Sequence, residues 1–206
     1  MKISYAISTW NEHTELERLL SFLHEHIDEN DEIVVQCDKG NTTHEVDKVL
    51  DTWQGGPLKV IHFSLNGNFA SFKNNLLKNC TGDWIFNIDA DELPNKSLIL
   101  NLKELLKLNP NTELILVPRV NTVEGITQEH INKWRWNVNE KGWVNWPDYQ
   151  TRIIQNSPKI QWVGKVHEVI TGFSTNSLLP AEEDWCLYHP KKIDKQEQQN
   201  HFYSTL

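Results

Sequence analysis

Three features of the chain point to an α/β sandwich built around a central, mainly parallel sheet. Strand-like and helix-like stretches alternate from Lys2 to Val120, the helical ones are apolar along one face, and the strand-like ones are short and apolar. Residues 2–9, KISYAIST, form the first strand. After it, Thr14 and Glu17 have the spacing of a capping box, and Leu16, Leu19, Leu20, Leu23 and Ile27 recur at helical intervals. A helix with one buried face is expected there. DEIVVQCD is the second strand, residues 44–53 a short helix, and LKVIHFSL the third strand, closed by the turn signal Asn66-Gly67-Asn68. Residues 69–79, FASFKNNLLKN, read as a helix and Gly82-Asp83 as a turn. WIFNID follows as a fourth strand, apolar on both faces as at the centre of a sheet. SLILNLKELLKL and ELILVPRV add one more helix and one more strand.

With 206 residues the chain can bury one sizeable core, so a single domain over residues 1–206 is expected. Hydrophobic content of 38% and charged content of 23% are those of a globular chain. No apolar run approaches the roughly 18 residues of a membrane span. The start, MKISYAISTWNE, lacks the apolar block and small-residue cleavage site of a signal peptide, which predicts a cytoplasmic protein. Cys37, Cys80 and Cys186 are widely spaced without a C-x-x-C pair, so reduced thiols near the core are expected rather than zinc or redox chemistry. The net charge of -8 argues against a general nucleic-acid binder. Residues 130–170 differ: they carry six Lys and Arg against three acids, and five of the nine tryptophans.

In doubly wound sheets, ligands bind beyond the C-terminal ends of the parallel strands. The polar residues that follow the strands here are Thr9, Asn11 and Glu12, then Asp38, then Asn66 and Asn68, then Asp89 and Asp91. All should converge on one edge. Residues two apart on an extended segment point the same way, so Asp89 and Asp91 can aim at one point, and hard carboxylates suit Mg²⁺ or Mn²⁺ when a diphosphate adds further oxygens. Eleven aspartates in this chain would yield roughly 0.6 D-x-D matches by chance, so it is the position after the most apolar strand that gives the motif weight.

STWNE, CDKGNTT and FASFKNNLLKNCTGDWIFNIDADE, in that order, resemble the nucleotide-sugar half of the family 2 glycosyltransferases of GT-A type. The usual features are a T-x-N-E-like start, an aspartate turn, and an R-N helix leading into a D-x-D strand. Lys73-Asn74 stands where arginine is usual, and CDKGNTT replaces a more acidic turn. The resemblance implies a Rossmann-like, three-layer GT-A sandwich, with residues 1–95 binding the donor and 96–206 the acceptor. It places Thr9, Asn11 and Glu12 near the ribose and base, and Asp38 against the uracil imide. Asp89 would hold the ribose or the metal, and Asp91 the Mn²⁺ or Mg²⁺ that bridges the diphosphate. Lys73 either adds positive charge nearby or is a solvated helix lysine.

YQTRIIQNSPKIQWVGKVHEVI resembles a subset of the same family that includes lipopolysaccharide-core and bacteriocin S-glycosyltransferases, in which the H-E pair lies on the acceptor side. Inverting transfer needs a carboxylate to take the acceptor's proton, and Glu168 is the first candidate, with Asp148 in reserve. His167 either orients Glu168 or contacts phosphate. His189 is a candidate third ligand for the metal or diphosphate, and Arg152 contacts the diphosphate or covers the strand surface. Indole faces stack on sugars, which makes Trp143 and Trp146, with Trp134 and Trp136, candidates for the acceptor side, whereas Trp84 and Trp162 read as core.

The expectation is a metal-dependent, inverting hexosyltransferase using a UDP-sugar, glucose first. A glycan, a lipid-linked sugar, a peptide side chain or a modified nucleobase all remain open as acceptor. Two rival readings are a phosphatase of the haloacid dehalogenase type, with Asp89 as nucleophile and Asp91 as general acid, and a non-catalytic sugar-nucleotide-binding module.

Overall fold

The computed structural model describes residues 1–204, with side chains to Gln198. Strands β1 (Ile3–Thr9), β2 (Glu32–Asp38), β3 (Leu58–Phe63) and β4 (Trp84–Asp89) are parallel and lie in the order β3-β2-β1-β4. Helices α1 (His13–His26), α2 (His44–Thr52) and α3 (Phe69–Lys78) make the crossovers. Then follow β5 (Leu93–Pro94), α4 (Lys96–Leu108), β6 (Leu114–Glu124), α5 (Gln128–Trp134) and β7 (Val144–Gln155). The chain continues through β8 (Gln161–Val163), β9 (Val169–Thr171), β10 (Asn176–Leu178), a 3₁₀ turn (Glu183–Trp185), β11 (Leu187–Lys192) and α6 (Ile193–Ser204). Among the described residues, nine strands make one sheet in the order β3-β2-β1-β4-β7-β6-β11-β5, with β10 alongside the start of β6. β7 is antiparallel to β4 and β6, and β8–β9 form a separate hairpin.

The sheet is sandwiched because its strands are apolar on both faces. Ile3, Tyr5 and Ile7 of β1 pack with Leu16, Leu19, Leu20 and Leu23 of α1 and with Leu98 and Leu102 of α4. Ala6, Val34 and Ile85 point the other way, onto Leu76 and Leu77 of α3 and onto Trp162. This alternation is the period of two that an extended chain imposes. β4 is buried from Trp84 to Ile88, as a central strand must be. Among the described residues, no helix is long and apolar enough to cross a membrane.

One helix start differs from expectation. α1 begins at His13, not at a Thr14–Glu17 box, and no side chain caps it. Glu12 instead turns its carboxylate back onto the N–H groups of Trp10 (2.9 Å) and Asn11 (3.1 Å), which fixes the β1–α1 loop. Among the described residues a capping box lies at α5, where Thr127 and His130 bond reciprocally. Gly82 answers to space: a Cβ there would lie 2.7 Å from the Ser4 nitrogen, so only glycine lets the turn before β4 sit against β1.

Candidate active site

The C-terminal ends of β1, β2 and β4 open into a cleft of about 700 Å³, closed on its far side by β6, β11, the first turn of α6 and the β8–β9 hairpin tip. Thr9, Glu12 and Asp38 line one end. Thr9 Oγ1 donates to Glu12 at 3.3 Å. Asp38 is buried, and its carboxylate accepts from Leu65 N–H and from Asn41 Nδ2, both at 2.9 Å, so it is rigidly presented. Trp10, 52% exposed, lines the same end. Asn11 does not: it is exposed, and of the triplet expected to touch the nucleotide only Thr9 and Glu12 reach the cleft.

Asp89 and Asp91 both reach the cleft, but their surroundings differ. Asp89 Oδ2 accepts from Arg152 Nη2 at 2.6 Å. Burial works against its charge, yet Arg152, Lys73 and Arg119 together hold the carboxyl below the usual range. A carboxylate so committed is a poor nucleophile, which removes the support for a phosphatase of the type considered above. Arg152 itself is 3% exposed and lies beneath the cleft, where it binds Asp89 and Glu92 Oε1 (2.6 Å each). It therefore neither contacts a diphosphate nor covers a strand surface; a buried guanidinium is tolerated only because carboxylates surround it.

Glu92, which the sequence reading left unassigned, is the hub. Its side chain is buried; Oε1 accepts from Arg152 and from Arg119 Nη1 (3.0 Å), and Oε2 from the Asp89 N–H (3.1 Å). Arg119 goes on to Asp148 Oδ2 through Nε (2.9 Å) and Nη2 (2.7 Å). Asp148 also accepts from Asn121 Nδ2 and Gln150 Nε2, each at 2.8 Å. Burial opposes its charge, but Arg119 and these donors hold Asp148 below the ordinary carboxylate range. Three donors crowd Oδ2 and one meets Oδ1, which suits a structural anion better than a base.

Asp91 faces His189, whose Nε2 lies 3.5 Å from Oδ2, and Lys195 Nζ of α6, at 3.5 Å from the same oxygen. Burial again works against the charge, and His189 in its protonated form, Lys195 and Lys191 together hold Asp91 well below the usual range. His189 is itself buried, with Nδ1 2.7 Å from Asn121 Oδ1. Among the described residues, no three carboxylate, imidazole or thiol side chains gather at one point. Protein donors for a cation are thus two, Asp91 Oδ2 and His189 Nε2. One hard oxygen and one imidazole fit a small divalent ion such as Mn²⁺ provided a diphosphate supplies the remaining ligands.

The hairpin tip between β8 and β9 brings Val166, His167 and Glu168 to the cleft. Glu168 Oε1 is 2.5 Å from Lys73 Nζ, and that lysine also lies over the Trp162 ring, 4.4 Å from its centroid. Lys73 is therefore a cleft residue that orients Glu168, not a solvated helix lysine. The tryptophans divide otherwise than expected. Trp143 and Trp146 pack edge to face on one another at 4.8 Å, and neither lines the cleft; Trp136 does. Lys141 lies 4.4 Å from the Trp143 centroid, while Trp136 packs on Trp134 at 4.7 Å and still lines the cleft.

The description Glycosyl transferase family 2 matches residues 4–170 of the chain. No curated protein matches it. Among solved structures, residues 1–349 of S. aureus TarS in complex with UDP-GlcNAc superpose with a TM-score of 0.66 at 16% identity, over 93% of this chain and 59% of that one. The crystal structure of TarS 1-349 gives 0.63 at 15%, over 92% and 60%. The same segment in complex with UDP gives 0.53 at 21%, over 62% and 38%. At these identities the likeness establishes the fold, and the chain spans at most three fifths of those structures.

Proposed function

The chain belongs to glycosyl transferase family 2, and from that premise we propose that it transfers a sugar from a UDP-sugar to an acceptor nucleophile, with inversion at the anomeric carbon. The supporting observation is that one cleft gathers Asp38 at one end, Asp91 with His189 beside them, and Glu168 on the opposite hairpin. The nucleoside lies against Trp10, Thr9 and Asp38: an indole offers a stacking face, and a fixed carboxylate accepts from an imide N–H. The diphosphate lies at Asp91, His189 and Lys191. Asp91 and His189 would hold Mn²⁺ or Mg²⁺ there, and such an ion, when bound, stabilises the negative charge of the departing diphosphate.

Glu168 is the base. Its carboxylate takes the proton of the acceptor O–H while that oxygen bonds to the anomeric carbon. The bond from that carbon to the β-phosphate oxygen breaks with its electron pair, and UDP leaves. Lys73 fixes one carboxylate oxygen and leaves the other to the acceptor. Asp148, whose Oδ2 already takes three donors, is the weaker candidate. Trp136 lies on the acceptor's side of this reading.

UDP-glucose is the first donor to try. UDP-GlcNAc, which a protein of similar fold holds, is the second. Incubation with Mn²⁺ and either donor should release UDP slowly to water and faster with an acceptor. Glu168→Gln should retain UDP binding and lose at least a hundredfold in rate. Undiminished release from Glu168→Gln would exclude it as base, and no release from either donor would favour a binding module.

A further inference from the structure

We propose that Asn121 is a positioning residue: it fixes His189 as the Nδ1-protonated tautomer, so that Nε2 turns a lone pair toward Asp91 and the cleft. The register of parallel β6 and β11 sets Asn121 beside His189, and antiparallel β6–β7 sets Arg119 beside Asp148. Asn121 then bridges these pairs, with Nδ2 2.8 Å from Asp148 Oδ2 and Oδ1 2.7 Å from His189 Nδ1. Its amide has one permitted orientation. The Asp148 oxygen that it meets already accepts two N–H groups of Arg119, so it is an ionised acceptor, and only the NH₂ end of an amide can face it. The carbonyl end therefore faces the ring. Because a carbonyl oxygen accepts and never donates, Nδ1 must carry the proton.

A neutral imidazole has a single N–H, and with Nδ1 protonated, Nε2 is bare. Bare Nε2 and Asp91 Oδ2, 3.5 Å apart, are two electron-rich atoms converging on one point. Such a pair attracts a cation and repels a second acceptor. With the opposite tautomer, Nε2–H would donate to Asp91 and fill that point. Asn121 acts through Asp148 and Arg119, and Arg119 through Glu92, which also holds Arg152 under Asp89. One chain of hydrogen bonds thereby runs from Asp89 to His189, and the Asp89 N–H on Glu92 closes its first loop.

The consequence for metal binding rests on the donor-site reading above; the tautomer does not. The test is ¹⁵N NMR of the histidine-labelled 206-residue chain, at a pH where the ring is neutral, alongside Mn²⁺ titration in the presence of UDP. Wild-type His189 should have a protonated Nδ1 and a bare Nε2. Asn121→Leu, which neither donates nor accepts, should shift the ring toward the Nε2-protonated form and lower Mn²⁺ affinity about 10- to 100-fold. A wild-type ring protonated at Nε2, or a tautomer unchanged in Asn121→Leu, overturns the proposal. Should that variant not fold, the wild-type spectrum alone decides. The expected tautomers without any Mn²⁺ binding would uphold the role of Asn121 and refute the metal reading instead.

Discussion

Replacing Glu92 with glutamine removes one charge and almost no volume, and its effect follows from three contacts. The side chain accepts from Arg152 (2.6 Å) and Arg119 (3.0 Å) on one oxygen and from the Asp89 N–H (3.1 Å) on the other. A glutamine can satisfy only one of these sides. If its oxygen takes the guanidiniums, its NH₂ meets the Asp89 N–H; if it is reversed, the NH₂ meets two cations. Either way a buried donor loses its acceptor. Truncating one partner of a buried ion pair costs about 3–5 kcal/mol, and the lower figure applies because Arg119 keeps Asp148 and Arg152 keeps Asp89. About 3 kcal/mol in a chain of this size is about 6–12 °C in Tm. Scanning calorimetry of wild type and Glu92→Gln reads this directly. A fall of less than about 2 °C would refute the picture of Glu92 as the buried hub beneath the two aspartates.

Other outcomes follow from the same structure. Burial opposes the charge of Glu32, but hydrogen bonds from Ser4, Lys2 and Thr81 prevail and lower its pKa to about 2. A depressed carboxylate stabilises the fold fully above its unfolded value near 4.5 and progressively less as pH falls toward 2. That stability amounts to about 2 kcal/mol after allowance for solvent at the sheet edge. Urea midpoints for Glu32→Gln should thus lie below wild type at pH 7 and converge with it near pH 2; a constant gap would contradict this. Trp10→Ala should weaken UDP binding about tenfold by calorimetry, the low end of the effect of a lost base stack, and leave Tm within about 2 °C because the indole is exposed. Unchanged UDP affinity would remove Trp10 from the nucleoside end.

The donor half was legible because both of its signals are local. Leucines at 16, 19, 20 and 23 can only make one helical stripe, and WIFNID can only be a central strand, so the ends of β1, β2 and β4 had to meet. Beyond Val120 the pattern fails for physical reasons. β7 is a twelve-residue antiparallel strand that is buried at Val144 and then not again until Arg152–Ile154, so it lacks the apolar run that marked the parallel strands. β8, β9 and β10 are three residues each, too short to show a period. Glu168 was found through its motif, but its lysine partner comes from α3, nearly a hundred residues earlier, which no local pattern encodes. Arg152 was misplaced because a strand arginine ordinarily faces water, and only Glu92 and Asp89 make burial tolerable. Four neighbouring tryptophans in one polar segment look alike in sequence. Both Trp134–Trp136 and Trp143–Trp146 pack as pairs, and it is the fold's placement of each pair that brings Trp136 to the cleft.

At the centre of this account is the reading that Asp91 and His189 receive the donor's diphosphate together with a divalent ion. Calorimetric titration of UDP into wild type and Asp91→Asn, with and without Mn²⁺, tests it most directly. The account predicts wild-type binding that strengthens at least tenfold with Mn²⁺ and an Asp91→Asn variant in which that gain is gone. Equal affinity in all four titrations would contradict it.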